Sequence, residues 1–120
     1  MKITKRQLKR IIKEERQKLL REQAEDEMYL AAEDLPELAQ HIQAAKEYAK
    51  EEAENGRPEM ADMYENDAYQ LQSIYDMSKE AFDAMEIKPP DRLSNYISRL
   101  DTTVRDTIPE NLYNWIVGQR

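Results

Sequence analysis

Hydrophobic residues recur every three or four positions along most of the chain, which is the spacing of one face of an α-helix. In the second quarter of the sequence these residues are Leu38, Ile42, Ala45, Ala49 and Ala53. Only two of the 120 residues are glycine, while Ala, Glu, Lys, Leu and Gln abound, so local preference also favours helix. The pattern predicts an all-α protein, a small bundle of about four to five helices.

Helix boundaries are marked by capping residues and prolines in the first half of the chain. Thr4 and Gln7 have the spacing of a capping box and predict a first helix that runs to about Ala32. Asp34 is the expected N-cap of a second helix over about 35–55. The Asn55-Gly56 pair then predicts a left-handed C-terminal cap, with Pro58 opening the third helix. Helices 2 and 3 should therefore form an antiparallel hairpin.

The third helix is the longest that the pattern predicts, running from about Pro58 to Met85. Its apolar seam is expected at Tyr64, Ala68, Leu71, Tyr75, Ser78, Phe82 and Met85. A fourth helix is expected after the Pro89-Pro90 pair, capped by Asp91 or Ser94. The residues that should complete the core from there to the end are Leu93, Ile97, Leu100, Val104, Leu112, Trp115 and Ile116.

Charge divides the chain into two unequal parts. Residues 1–21 hold nine Lys or Arg against two Glu, a net charge of +7, whereas the other 99 residues hold nine Lys or Arg against 23 Asp or Glu, a net charge of −14. Such asymmetry is typical of segments with different roles. We predict a basic amphipathic N-terminal helix at 1–22 and an acidic helical body, a single domain, at 23–120.

The basic segment has a narrow apolar face. On a helical wheel Leu8, Ile11, Ile12 and Leu19 share one side, with Glu15 among them. Basic side chains fill the rest of the wheel: Lys5, Arg6, Lys9, Arg10, Lys13, Arg16 and Arg21. The residues expected to contact a partner are Lys5, Arg6, Leu8, Lys9, Arg10, Ile12, Lys13 and Leu19.

The residue inventory offers little for catalysis. The absence of Cys excludes disulfides and thiolate chemistry, and the single histidine, His41, cannot supply the paired ligands of a di-iron bundle. Gly56 and Gly118 stand alone, so a glycine-rich phosphate loop is excluded. We predict no catalytic residue, no cofactor and no metal, and we expect His41 to be a surface residue. No apolar run is long enough to cross a membrane, so a soluble, cytoplasmic protein is expected.

Seven tyrosines and six methionines admit two interpretations. Tyr64 and Tyr75 lie on the predicted seam, so packing in the core with the hydroxyl at its rim is the simpler one. A Met/Tyr surface for a partner protein is the other. Tyr69, off the seam, is the tyrosine expected to be exposed.

Four roles compete for the basic helix: packing on its own acidic body, or binding nucleic acid, a membrane surface or a partner protein. A membrane is disfavoured because the stripe has no aromatic residue and Glu15 interrupts it. Nucleic acid is retained but not favoured, since the acidic body would repel a phosphate backbone. Oligomeric state is left open.

The opening stretch MKITKRQLKRIIKEE resembles an N-terminal signature, Met-Lys-Ile/Leu-Thr followed by alternating basic and Leu/Ile positions and Lys-Glu-Glu, of small proteins from marine tailed phages. It is similar to the capsid-targeting leaders of large tailed phages, helical tags that carry cargo into the prohead. The resemblance covers about the first fifth of the chain. It implies a protein partner, such as capsid or scaffold, and a place in the virion or the host cytoplasm.

These observations lead to one favoured hypothesis and two others. The favoured one is a non-enzymatic phage-type helical protein whose N-terminal helix is a docking or capsid-targeting tag and whose acidic body is packaged, scaffold-associated or host-binding. The second is an acidic inhibitor that mimics nucleic acid and blocks a host nucleic-acid enzyme. An enzyme, the third, would need a polar pocket around His41 or a tyrosine.

Overall fold

Six α-helices and no strand make up residues 4–118, the part of the chain described in the computed structural model. They are α1 (Lys5–Glu33), α2 (Leu35–Glu54), α3 (Pro58–Asp83), α4 (Asp91–Ser98), α5 (Thr102–Arg105) and α6 (Glu110–Val117). The all-α prediction is confirmed. Residues 1–3 of the predicted basic segment and residues 119–120 of the predicted body lie outside the described residues.

Helix α1 begins where its capping residues predict. The Thr4 hydroxyl accepts a hydrogen bond from the Gln7 backbone N–H over 3.2 Å, and the Gln7 side-chain oxygen accepts one from the Thr4 N–H over 3.1 Å. Two N–H groups without intrahelical partners are thereby satisfied. The helix then continues unbroken through residue 22, so the predicted boundary between segment and body falls inside a helix.

Helices α2 and α3 form the predicted hairpin. Gly56 has φ +74°, the left-handed conformation that a side chain disfavours, and its N–H donates to the carbonyl of Ala53. The Arg57 N–H donates to the carbonyl of Glu52 over 2.8 Å, completing a Schellman motif. A connection this short requires the two helices to run antiparallel, and they pack along their lengths.

The buried side of α3 differs in part from the predicted seam. Its buried residues are Ala61, Ala68, Leu71, Ile74, Ser78, Ala81 and Phe82. Ile74 is fully buried, while Tyr64 and Tyr75 are half-buried at the edge of the seam. The prediction of an inward-facing Met85 is wrong, because α3 ends at Asp83 and Met85 adopts a left-handed conformation with its side chain in solvent.

One more predicted core position is wrong at the hairpin tip. Ala53 of the α2 stripe is exposed, because it lies in the last turn of α2, where that helix passes into the connection to α3. The four earlier members of the stripe are buried as predicted. Tyr69 is 70% exposed, which confirms its predicted place off the seam.

The C-terminal third closes the core as three short helices. All seven residues predicted for it, from Leu93 to Ile116, are buried. The predicted fourth helix is divided at Leu100 into α4 and α5. The proposed caps are wrong: Pro90 occupies the N-cap of α4, and the Ser94 hydroxyl instead donates to the Ile116 carbonyl over 2.9 Å, one of the carbonyls that α6 leaves unpaired at its end.

The molecule is long and thin, measuring 81 × 23 × 19 Å. Its radius of gyration is 20.2 Å, against roughly 14 Å for a compact domain of this length. The longest dimension is close to the combined length of α1 and α2, roughly 75 Å at 1.5 Å per residue. The two helices therefore run nearly end to end, with the hairpin extending one way and the N-terminal half of α1 the other.

Candidate docking helix

The N-terminal half of α1 projects from the body with its apolar stripe uncovered. Every residue in 4–19 and 21–23 is exposed, and the first half-buried position is Ala24. Within the stripe, Leu8 is 52% exposed and Leu19 64% exposed, with Ile11 and Ile12 both above 40%. Packing of this stripe on the chain's own acidic body, one of the four roles weighed from sequence, is therefore wrong.

The base of α1, residues 24–33, packs on the body through the side of the helix opposite the stripe. Met28 and Ala31 are buried in the core, and Ala24 is half-buried where α1 packs against α6. At 100° per residue, this buried face points roughly 160° away from the stripe of Leu8 and Leu19. Because α1 is one continuous helix, fixing its base against the body aims the stripe away from the body.

Exposure of the stripe has an energetic consequence. Fully burying an aliphatic side chain contributes roughly 1.5–3 kcal/mol, and four such side chains lie on one face within about three turns. Within residues 4–118 nothing covers the stripe, so the fold does not gain the free energy of burying it. That free energy is thus available to a second surface that covers the stripe.

The predicted contact residues all lie on the projecting half of α1. Lys5, Arg6, Lys9, Arg10 and Lys13 are all exposed. Lys5 flanks the stripe, whereas Arg6, Arg10 and Lys13 lie on the far side of the helix. The Arg10 Nε lies 3.2 Å from a Glu14 carboxylate oxygen. That pair is one helical turn long and solvent-exposed, so it adds only a few tenths of a kcal/mol and leaves the basic surface nearly intact. Whether these residues bind a partner stays a prediction.

The first turn of α1 carries an electrostatic cost. Lys5 and Arg6 lie beside the positive end of the helix dipole, and the first turn contains no acidic residue. The capping box offsets this by satisfying backbone N–H groups with neutral side chains. The result is a helix end that presents concentrated positive charge to solvent.

Contacts at the junction with the body were not foreseen. Asp34, expected to cap α2, makes no side-chain cap hydrogen bond there. One of its carboxylate oxygens instead accepts from the backbone N–H of Leu112 over 3.0 Å, near the start of α6. The Trp115 indole N–H donates to the Ile87 carbonyl over 2.9 Å, and its ring lies 4.7 Å from that of Phe82. These contacts fix the base from which the helix projects.

A shallow groove runs beside this base. Part of it, about 180 Å³, is lined by Glu27, Leu30, Asn111, Asn114 and Trp115. A neighbouring part of about 360 Å³ shares Glu27 and Trp115 and reaches the loop at Ile87. Both parts are small and open, and they lie on the side of α1 away from the stripe's centre.

The body carries other polar groups that could contribute to a site. His41 is half-exposed on α2, with its Nε2 3.8 Å from a Glu37 carboxylate oxygen, in agreement with a surface role. Burial, and secondarily the negative charge of Asp101, raises the pKa of Asp67 above 3.8. Among residues 4–118 no group of three or more His, Asp or Glu side chains is placed to hold a metal ion.

Comparison with known proteins adds no relative. No protein-family model, curated protein sequence or solved structure matches the chain. Within the described part of the chain, no helix combines the length and apolar character needed to cross a membrane.

Proposed function

We propose that this is a non-enzymatic helical protein whose N-terminal helix docks on a partner protein. The observation that carries the proposal is an exposed apolar stripe on a helix that projects from the body. The stripe consists of Leu8, Ile11, Ile12 and Leu19. An amphipathic helix of this kind fits a groove that accepts side chains spaced by three, four and seven residues. The surrounding Lys and Arg side chains select a groove with acidic rims.

The resemblance of the first fifteen residues to capsid-targeting leaders supplies the proposed setting. The partner is then a capsid or scaffold protein of a tailed phage, and the acidic body is packaged cargo, scaffold-associated or host-binding. The protein would reside in the virion or in the host cytoplasm. A projecting helix that ends at a rigid base supports this role, because a tag must be reachable while its cargo stays folded.

The distribution of charge on the body favours docking over mimicry of nucleic acid. Lys46, Lys50 and Lys79 are exposed among the carboxylates of α2 and α3. A mimic that blocks a nucleic-acid enzyme requires continuous rows of negative charge like those of a phosphate backbone. Interspersed lysines lower that potential.

Affinity capture from the native source tests the proposal. The intact chain, a chain lacking residues 1–22, and a Leu8→Gln/Ile12→Gln variant serve as baits, each with and without nuclease. We expect one protein to be retained by the intact chain alone, and to bind it again when both are purified. Leu112→Gln cannot serve as a control because Leu112 is buried, so Lys46→Gln/Lys50→Gln on the exposed surface of α2 is the control and should retain the partner.

Two results would reject the proposal. Equal capture by the intact and truncated chains would place any binding surface elsewhere on the body. Loss of all binding after nuclease treatment would identify nucleic acid as the ligand of the basic helix.

A further inference from the structure

Helix α1 changes sign along its length. Residues 5–21 hold eight Lys or Arg and two Glu, whereas residues 22–33 hold five Asp or Glu and no basic residue. The helix is therefore basic in its projecting half and acidic where it joins the body. If two such helices packed side by side in parallel, like charges would lie together. In antiparallel orientation, the basic half of each helix would lie against the acidic half of the other.

The outward face of α1 is continuous across that change of sign. Beyond Leu19, the residues on the same side of the helix are Glu22, Asp26, Tyr29, Leu30 and Glu33, and all of them are exposed. Tyr29 is 51% exposed and Leu30 48% exposed, although both lie beside the buried Met28 and Ala31. The stripe thus extends from Leu8 to Leu30, a length of roughly 33 Å, and Leu30 lies at the rim of the groove beside α6.

We propose that α1 pairs in antiparallel orientation with α1 of a second copy of this chain, through this outward face. A two-fold axis near Leu19 sets the register, so that Leu8 of each copy lies opposite Leu30 of the other. The same register places Lys18 near Glu22 on one edge of the stripe, and Lys5 near Glu33. Each contact then occurs twice, as two-fold symmetry requires.

Charge decides the orientation of the pair. Packed helices lie roughly 8–10 Å apart, which is close to the screening length at physiological salt, so complementary charges along the interface still attract. The antiparallel arrangement also keeps the two bodies apart. Each hairpin extends beyond the base of its own α1, and Met28 and Ala31, which hold that base, are buried on the side of the helix opposite the interface.

The stripe is narrow, and this sets the expected strength of the dimer. It is interrupted by Glu15, Glu22 and Asp26, so apolar burial alone does not suffice. We therefore expect a reversible dimer that weakens as salt is raised. The inference does not rest on the proposed partner, although a partner bound to the stripe would compete with the second copy.

Sedimentation of the full-length chain at several concentrations and two salt concentrations is the first test. We expect a monomer–dimer equilibrium at low salt, with a Kd that rises on adding salt. Lys18→Glu alone and Glu22→Lys alone should each raise Kd by roughly tenfold or more, because each removes two attractive pairs. The double variant should restore dimerisation, since the exchanged charges face each other again across the two-fold axis.

Orientation is tested with single cysteines, because the chain contains none. After reaction with a short bis-maleimide, Leu19→Cys should give covalent dimers with itself. Leu8→Cys should cross-link when mixed with Leu30→Cys, but not when alone. Lys13→Cys, on the far side of α1, is the matched control and should give background cross-linking.

Three results would overturn the inference. They are a monomer at all concentrations, a double charge exchange that does not restore dimerisation, and self-cross-linking of Leu8→Cys equal to that of its mixture with Leu30→Cys. All the substituted positions are exposed, so circular dichroism and cooperative unfolding should match the parent chain and exclude misfolding as a cause.

Discussion

The carboxylate of Asp34 accepts a hydrogen bond over 3.0 Å from the backbone N–H of Leu112, 78 residues further along the chain. Leu112 is in the first turn of α6, whose N-cap position is occupied by Pro109, a residue with no side-chain acceptor. Asp34 thus supplies from the α1–α2 junction the cap that α6 lacks. The charge also lies at the positive end of the α6 dipole, so the contact ties the first helix to the last.

Asp34→Ala should lower the free energy of unfolding by roughly 1–2 kcal/mol, because it leaves a half-buried N–H of α6 without a partner. Asp34→Asn keeps an oxygen acceptor in the same place and should cost less. Urea unfolding followed by circular dichroism measures both. Equal losses for the two variants would mean that the hydrogen bond is not the source of the effect.

Leu71→Ala should destabilise the protein by roughly 2–5 kcal/mol, because Leu71 is 2% exposed in the α3 core. Leu19→Ala is the matched control, with the same change in a helix at a side chain 64% exposed, and should shift stability by less than about 0.5 kcal/mol. Thermal unfolding of both variants at a concentration where the chain is monomeric provides the comparison. Similar losses at the two sites would contradict the assigned burial.

Met85→Gly should stabilise the protein by up to about 1 kcal/mol. Met85 occupies the left-handed position after α3 at φ +55°, and its exposed side chain loses few contacts on removal. The N–H of Glu86 donates to the Ala81 carbonyl in the same Schellman arrangement that Gly56 gives α2. Gly56→Ala is the reverse experiment and should cost about 1 kcal/mol, although no atom lies within 4 Å of the added methyl group.

Asp67→Asn should stabilise the protein at neutral pH but not in acid. Burial raises the pKa of Asp67 in the folded state, so the folded protein holds this proton more tightly than the unfolded chain does. The resulting stability is present below pH 3.8 and is lost as pH rises through the raised pKa. The difference between variant and parent, from urea unfolding across pH, should therefore grow from acid to neutral pH. A difference independent of pH would contradict this assignment.

Deleting residues 1–22 should leave cooperative unfolding of the body nearly unchanged. The described residues of that segment are exposed, and the contacts that hold α1 begin at Ala24. Calorimetry of the truncated chain at a concentration where the parent is monomeric checks this. A loss of several kcal/mol would show that the segment contributes apolar burial to the body.

Helix positions were largely predictable from sequence, because the devices that begin and end a helix act over a few residues. Thr4 needs only Gln7 to form its capping box, and Gly56 adopts its left-handed turn with partners inside the preceding helix. The periodicity of Leu38, Ile42 and Ala45 likewise identified a buried face without knowledge of what covers it. The candidate site was predictable to the same extent, since the stripe of Leu8 and Leu19 is a property of one helix.

Only the tertiary structure decided what each face contacts. The end of α3 and its packing against neighbouring helices determine that Ile74 rather than Tyr75 is buried and that Met85 is exposed. Asp34 was expected to cap α2, but its helical backbone conformation is not that of an N-cap, and its carboxylate accepts from a backbone N–H 78 residues away. The outward direction of the N-terminal stripe follows from burial of Met28 and Ala31 on the other side of α1. The spacing of residues within one helix is fixed by the geometry of that helix. Which face of a helix is buried depends on how all the helices pack together around one core.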